Sequence, residues 1–72
     1  MTNQWHHILT ADELTSSYAL TAKLDPAFAA QARAFYDSRS AAQLDVLAAQ
    51  AWNGNNPTSY QLARSHRALL EN

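Results

Sequence analysis

The chain reads as an all-α protein, a small bundle of about four short helices completed by homodimerisation. Three observations predict it. Helix start signals recur at regular intervals, the single glycine and both prolines sit beside those signals, and no segment shows the β-branched alternation of a strand. Seventy-two residues make one helical domain at most, here residues 1–72 with residues 1–9 as an N-terminal arm, and a chain this short buries a smaller share of its surface than larger domains do.

The first helix is announced by Thr10-Ala11-Asp12-Glu13, in which the Thr10 hydroxyl can accept from the Glu13 N–H while the Glu13 carboxylate reaches back to the N–H of Thr10. Leu9 and Leu14 flank this box as a hydrophobic staple, and the helix should run from about Ala11 to Leu24. Its apolar residues fall on two sides, Leu14, Tyr18 and Ala22 on one and Leu20 and Leu24 on another, which suits a helix gripped from both. Asp25-Pro26 opens helix two, because proline at the first helical position lacks an N–H that would be unpaired anyway. Phe28, Ala32, Phe35 and Tyr36 then form one apolar face, expected to turn inward.

Ser38-Arg39-Ser40 interrupts, and Ser40-Ala41-Ala42-Gln43 supplies a second capping box. Helix three puts Leu44, Leu47, Ala48, Ala51 and Trp52 on one stripe and leaves Val46 outside it, among Asp45, Ala49 and Gln50. Val46 is therefore either a singly exposed residue or part of a contact surface. Asn53-Gly54 should end this helix in the left-handed conformation that both residues tolerate. Helix four starts at Asn56-Pro57 or at Thr58-Ser59-Tyr60-Gln61. One face carries Leu62, His66, Leu69 and Leu70; Tyr60, Arg64, Arg67 and Glu71 occupy the other.

Composition removes several function classes. There is no cysteine, so neither disulfides nor thiolate metal sites can support the fold, and self-association or a partner is the remaining support. Nothing resembles a secretory leader or the ~20 apolar residues of a membrane span, so a cytoplasmic protein is the expectation. The net charge is −1, which supplies no basic field for nucleic acid. A helix-turn-helix regulator using the 58–70 helix is the alternative reading, with Thr58, Ser59 and Gln61 toward bases and Arg64 and Arg67 on phosphates. The polar Asn-Gly-Asn turn and only five Lys and Arg in all argue against it.

Catalytic and cofactor chemistry finds little purchase, and no cofactor or metal is expected. His6 and His7 are adjacent and face different directions, as do Ser65 and His66. Asp12 and Glu13 are explained by capping, and Tyr36 by core packing. His66 reads as a packed or interface histidine whose place near a helix C-terminus should favour its charged form.

The function read from the sequence is a non-enzymatic protein-binding module, an accessory regulator, inhibitor or adaptor of a larger protein, that works as a homodimer. Candidate protein-binding residues are Tyr60, Arg64 and Arg67, spaced i, i+4 and i+7 on the polar side of helix four, together with Val46 and, in the arm, Trp5. Tyr and Arg are enriched at interaction hot spots, and Tyr60 can stack under Arg64 and ready its guanidinium for a partner's carboxylate. No membrane association is expected.

Overall fold

A computed structural model describes residues 6–71; Trp5 lies outside them. The four helices are α1 (Ala11–Leu24), α2 (Pro26–Asp37), α3 (Ala41–Asn53) and α4 (Pro57–Leu69), and there is no strand among the described residues. Each starts where its cap dictates. Both capping boxes close reciprocally, Thr10 with Glu13 and Ser40 with Gln43. Asp25 and Asn56 each accept a backbone N–H ahead of a proline at the first position, so Asn56-Pro57 and not Thr58 begins α4.

The chain folds as two antiparallel helical hairpins, α1 with α2 and α3 with α4, whose main contact with each other runs between α2 and α4. The Cα radius of gyration is 11.8 Å, close to the ~11 Å of a compact chain of this length, so the hairpins lie against one another and are not splayed. The α3–α4 turn departs from expectation. Gly54 keeps a right-handed conformation at φ −84°, and it is Asn55 that takes the left-handed one at φ 55°. Helix three runs one residue further than its Asn-Gly signal implies. The Asn55 N–H then reaches Trp52 O at 3.2 Å and the Asn56 N–H reaches Ala51 O at 2.8 Å, a Schellman closure with asparagine in the glycine place.

The core is built of small residues. Among the described residues the buried apolar set is Leu14, Tyr18, Ala29, Leu44, Ala48, Ala51 and Ala63, four of the seven being alanine. Alanine permits close helix approach but removes little apolar area from water. Beyond Leu14, Tyr18 and Leu44, many larger side chains lie outside. Phe28 is 57% and Phe35 41% exposed, so of the inward face expected of α2 only Ala32 and Tyr36 keep to it. The buried line of that helix runs instead through Ala29 with half-buried Ala32 and Tyr36, because the small residues let α2 come close to its neighbours and the phenylalanines, one position earlier, rotate to the flank. On α4 the same choice buries Ala63, Ser65 and His66, while Leu70, beyond the helix end, is 55% exposed. Trp52 is likewise exposed, although it shares the α3 stripe. Of the two apolar sides of α1, Leu14 and Tyr18 face inward, whereas Leu20 and Leu24 meet solvent, so within one copy the helix is gripped from one side only.

Candidate protein-binding surface

The polar side of α4 brings Tyr60 and Arg64 together. Arg64 Nη1 donates to Tyr60 Oη at 2.7 Å, and its guanidinium carbon lies 5.5 Å from the ring centroid, so the cation is held over and beside the phenol. Among the described residues Arg64 pairs with no carboxylate. Arg67 differs. Its Nη1 lies 3.1 Å from Glu71 Oε1 and its Nε 3.2 Å from Asp45 Oδ1, the latter contact out of line for a hydrogen bond. Two carboxylates thus attend one guanidinium, and Arg67 ties α4 to α3 within the molecule. These residues line a shallow hollow of about 340 Å³.

Val46 stands elsewhere, 55% exposed, in a groove of about 440 Å³ between the end of α2 and the outer side of α3. Phe35, Ala42 and Leu47 share that groove, and Arg39 lies at its edge with its guanidinium 4.2 Å from the Phe35 centroid. The lining contains no acidic residue, so the groove is apolar with one positive rim. The five candidate residues therefore do not form one site: Tyr60, Arg64 and Arg67 line one hollow on α4, with Arg67 already paired to Asp45 and Glu71, Val46 belongs to the groove, and Trp5 lies outside the described residues. Sequence reasoning missed Phe35 and Arg39 as surface residues. The signal available was the off-stripe position of Val46, one helical turn past Ala42.

Residues 6–9 of the arm pack along α4. Leu9 N–H donates to Ser65 Oγ at 2.9 Å, which accounts for a fully buried serine, and Gln61 Nε2 donates to His7 O at 3.1 Å. His6 lies against Trp52 and Tyr60, with ring centroids 5.2 and 6.2 Å away. His7 Nε2 is 3.2 Å from Glu13 Oε1, and the Glu13 carboxyl is held below its usual range first by the Thr10 backbone N–H and then by His7. The paired histidines thus have separate local tasks. Among the described residues no group of three or more His, Cys, Asp or Glu could hold a metal ion. The helix-turn-helix elements are also occupied within the molecule: Gln61 holds the arm, Arg67 meets two carboxylates and Arg64 the Tyr60 hydroxyl.

The most constrained polar cluster joins three helices. His66, 4% exposed, places Nδ1 3.1 Å from Asp37 Oδ1 and Nε2 2.9 Å from Tyr18 Oη. An ionised carboxylate only accepts, so Nδ1 carries the proton and donates to Asp37, leaving Nε2 to accept from the Tyr18 hydroxyl. Tyr36 stacks on the imidazole at 5.3 Å and 22°. Arg33 lies over the Tyr18 ring at 5.3 Å and near Asp37 at 3.8 Å. Burial pushes the His66 pKa below its ordinary value; Asp37 opposes this and Arg33 adds to it. The charged form expected from the helix end does not prevail, because desolvation of a buried imidazolium outweighs a partial charge at a helix terminus.

The order Tyr18, His66, Asp37 resembles a nucleophile, base and orienting acid. Its chemistry differs. Burial, with Tyr36 and Asp37, pushes the Tyr18 phenol up to about 12, and its side chain is only 7% exposed, so the chain of groups presents no reacting oxygen to solvent. No known protein family, curated protein or solved structure matches the chain. No helix among the described residues is long and apolar enough to cross a membrane.

Proposed function

We propose that this chain is a non-enzymatic protein-binding module, an accessory regulator, inhibitor or adaptor of a larger protein, that works as a homodimer. The observation that carries the reading is an inversion of size: alanines fill the core while Leu20, Leu24, Phe28, Phe35 and Val46 are exposed. Burying side chains of this size against another surface is worth roughly 1.5–3 kcal/mol each, more than burial of an alanine returns. The solvent side of α1, with Leu24 92% and Leu20 63% exposed, serves the second copy. The α2–α3 groove, with Arg39 at its edge, serves the partner, whose surface is apolar with a carboxylate to meet the positive rim, and Arg64 over Tyr60 in the separate hollow on α4 offers a second cation to it.

Sedimentation equilibrium at micromolar concentration should give a dimer, and Leu20→Glu with Leu24→Glu should give a monomer of unchanged helical circular dichroism. A wild-type monomer would remove self-association from the reading. Affinity capture from the native cell should then recover a larger protein with the wild type and lose it with Val46→Glu or Arg64→Glu; capture undiminished by both would place the partner on another face.

A further inference from the structure

The groove and the exposed face of α1 are absorbed by the reading above, but the buried imidazole of His66 is not. It is the only point at which α1, α2 and α4 meet through hydrogen bonds among the described residues, joining residues 48 positions apart on the Tyr18 side. Each of its two ring nitrogens already has one role, Nδ1 as donor and Nε2 as acceptor. We propose that the Tyr18, His66 and Asp37 chain is a proton-operated clasp, which joins the two hairpins while the imidazole is neutral and loosens them when it takes a second proton.

The geometry gives the reason. A proton added at Nε2 makes that nitrogen a donor facing the Tyr18 hydroxyl, whose own proton must then turn elsewhere in a site where the phenol is 7% exposed. A buried donor left without an acceptor is destabilising. The titratable and charged groups near the ring are Tyr18 from α1, Arg33, Tyr36 and Asp37 from α2, and Arg39 from the connecting segment, and Leu44 of α3 lines the small cavity beside it. Asp37 favours the second proton, whereas Arg33 and burial oppose it. The balance sets the sign. Because the folded-state pKa lies below the unfolded value of about 6.5, the unfolded chain binds more protons as pH falls through that window, and stability complete above about 6.5 is lost toward acid.

The consequence reaches the groove, and this part rests on the protein-binding reading. Asp37 ends α2 between Phe35 and Arg39, which form one wall, while the other wall belongs to α3 in the second hairpin. The second proton keeps the Asp37 contact and costs the Tyr18 one, which joins the first hairpin to α4, so acidification loosens the packing of the hairpins that hold the two walls as well as weakening the fold.

Thermal melts of the full chain between pH 7.5 and 5.0 test the clasp, beside His66→Gln, which keeps a donor and an acceptor but has no charge to gain. The wild-type midpoint should fall by about 5–10 °C more than that of the variant. His6 and His7 are present in both proteins, so the difference isolates His66. Parallel pH profiles would overturn the clasp. Should His66→Gln fail to fold, a proton and nitrogen NMR titration of the wild type decides: the His66 ring should titrate below free histidine, and inter-hairpin amides should lose protection together with it. Titration at or above the free value, or protection unchanged through it, would overturn the proposal. Partner capture and dimer formation at pH 7.5 and 5.5 separate the two claims: stability lost without loss of binding removes the groove control alone, while the variants named for the protein-binding reading test that reading at pH 7.5, where the clasp is closed.

Discussion

The two hairpins solve the same packing problem in opposite ways. Between α3 and α4, Ala48, Ala51 and Ala63 are buried, the turn closes by a Schellman motif, and Arg67 ties across to Asp45. Between α1 and α2, Leu14, Tyr18 and Ala29 turn inward, while Leu20, Leu24 and Phe28 are left exposed. The second hairpin packs through alanines and Leu44 and still exposes Val46 and Trp52; the first is held to it partly by the polar contacts of Tyr18, Asp37 and the arm. Close backbone approach lets one hairpin pack largely with alanine, while Leu20, Leu24, Phe28 and Phe35 of the other stay uncovered. That division is why the proposed binding surfaces both involve the first hairpin.

The strongest way to break the comparison is to remove the most deeply buried side chain of the first hairpin. Leu14→Ala, at a residue 1% exposed, should cost about 2–5 kcal/mol and leave much of the population unfolded on warming, measured by urea titration. Ala63→Leu attacks the other hairpin where it is tightest, at 0% exposure, and should cost about 1–3 kcal/mol by overpacking. Equal tolerance of leucine there would mean that α3 and α4 are not closely packed. The turn provides a smaller and sharper test. Asn55→Ala should lose about 1 kcal/mol because alanine lacks the short polar side chain that lets asparagine tolerate a left-handed φ of 55°, whereas Gly54→Ala, at φ −84° with its new Cβ 3.2 Å from Gln50 O, should stay within about 0.5 kcal/mol of wild type. The reverse ranking would restore the glycine as the left-handed residue.

Much of the helical framework is legible in the residues because its causes are local. A cap acts within three residues, so Thr10 with Glu13, Asp25 with Pro26, and Ser40 with Gln43 each announce a helix start that the structure contains. The exposure of Val46 follows in the same way from its angle relative to Leu44 and Leu47. The groove around it is less legible, since it needs Phe35 to point outward, and periodicity alone puts Phe35 on the same face as Tyr36. Of the two partners of Arg67, Glu71 is a local i,i+4 neighbour that the sequence shows, whereas Asp45 is brought to it only by the packing of α3 on α4.

From its residues alone this protein is an all-helical chain with its helix starts, an α1 that is apolar on two sides, and an unmatched valine on α3, because all of these depend on backbone bonds and angles spanning a few positions. Tertiary structure alone decided that alanines rather than phenylalanines face inward on α2, that Asn55 rather than Gly54 reverses the chain, and that His66 lies buried between Tyr18 and Asp37. Each of those outcomes depends on how closely a neighbouring helix can approach or on how a helix end is closed, and a buried ring's charge depends on the water which that approach expels.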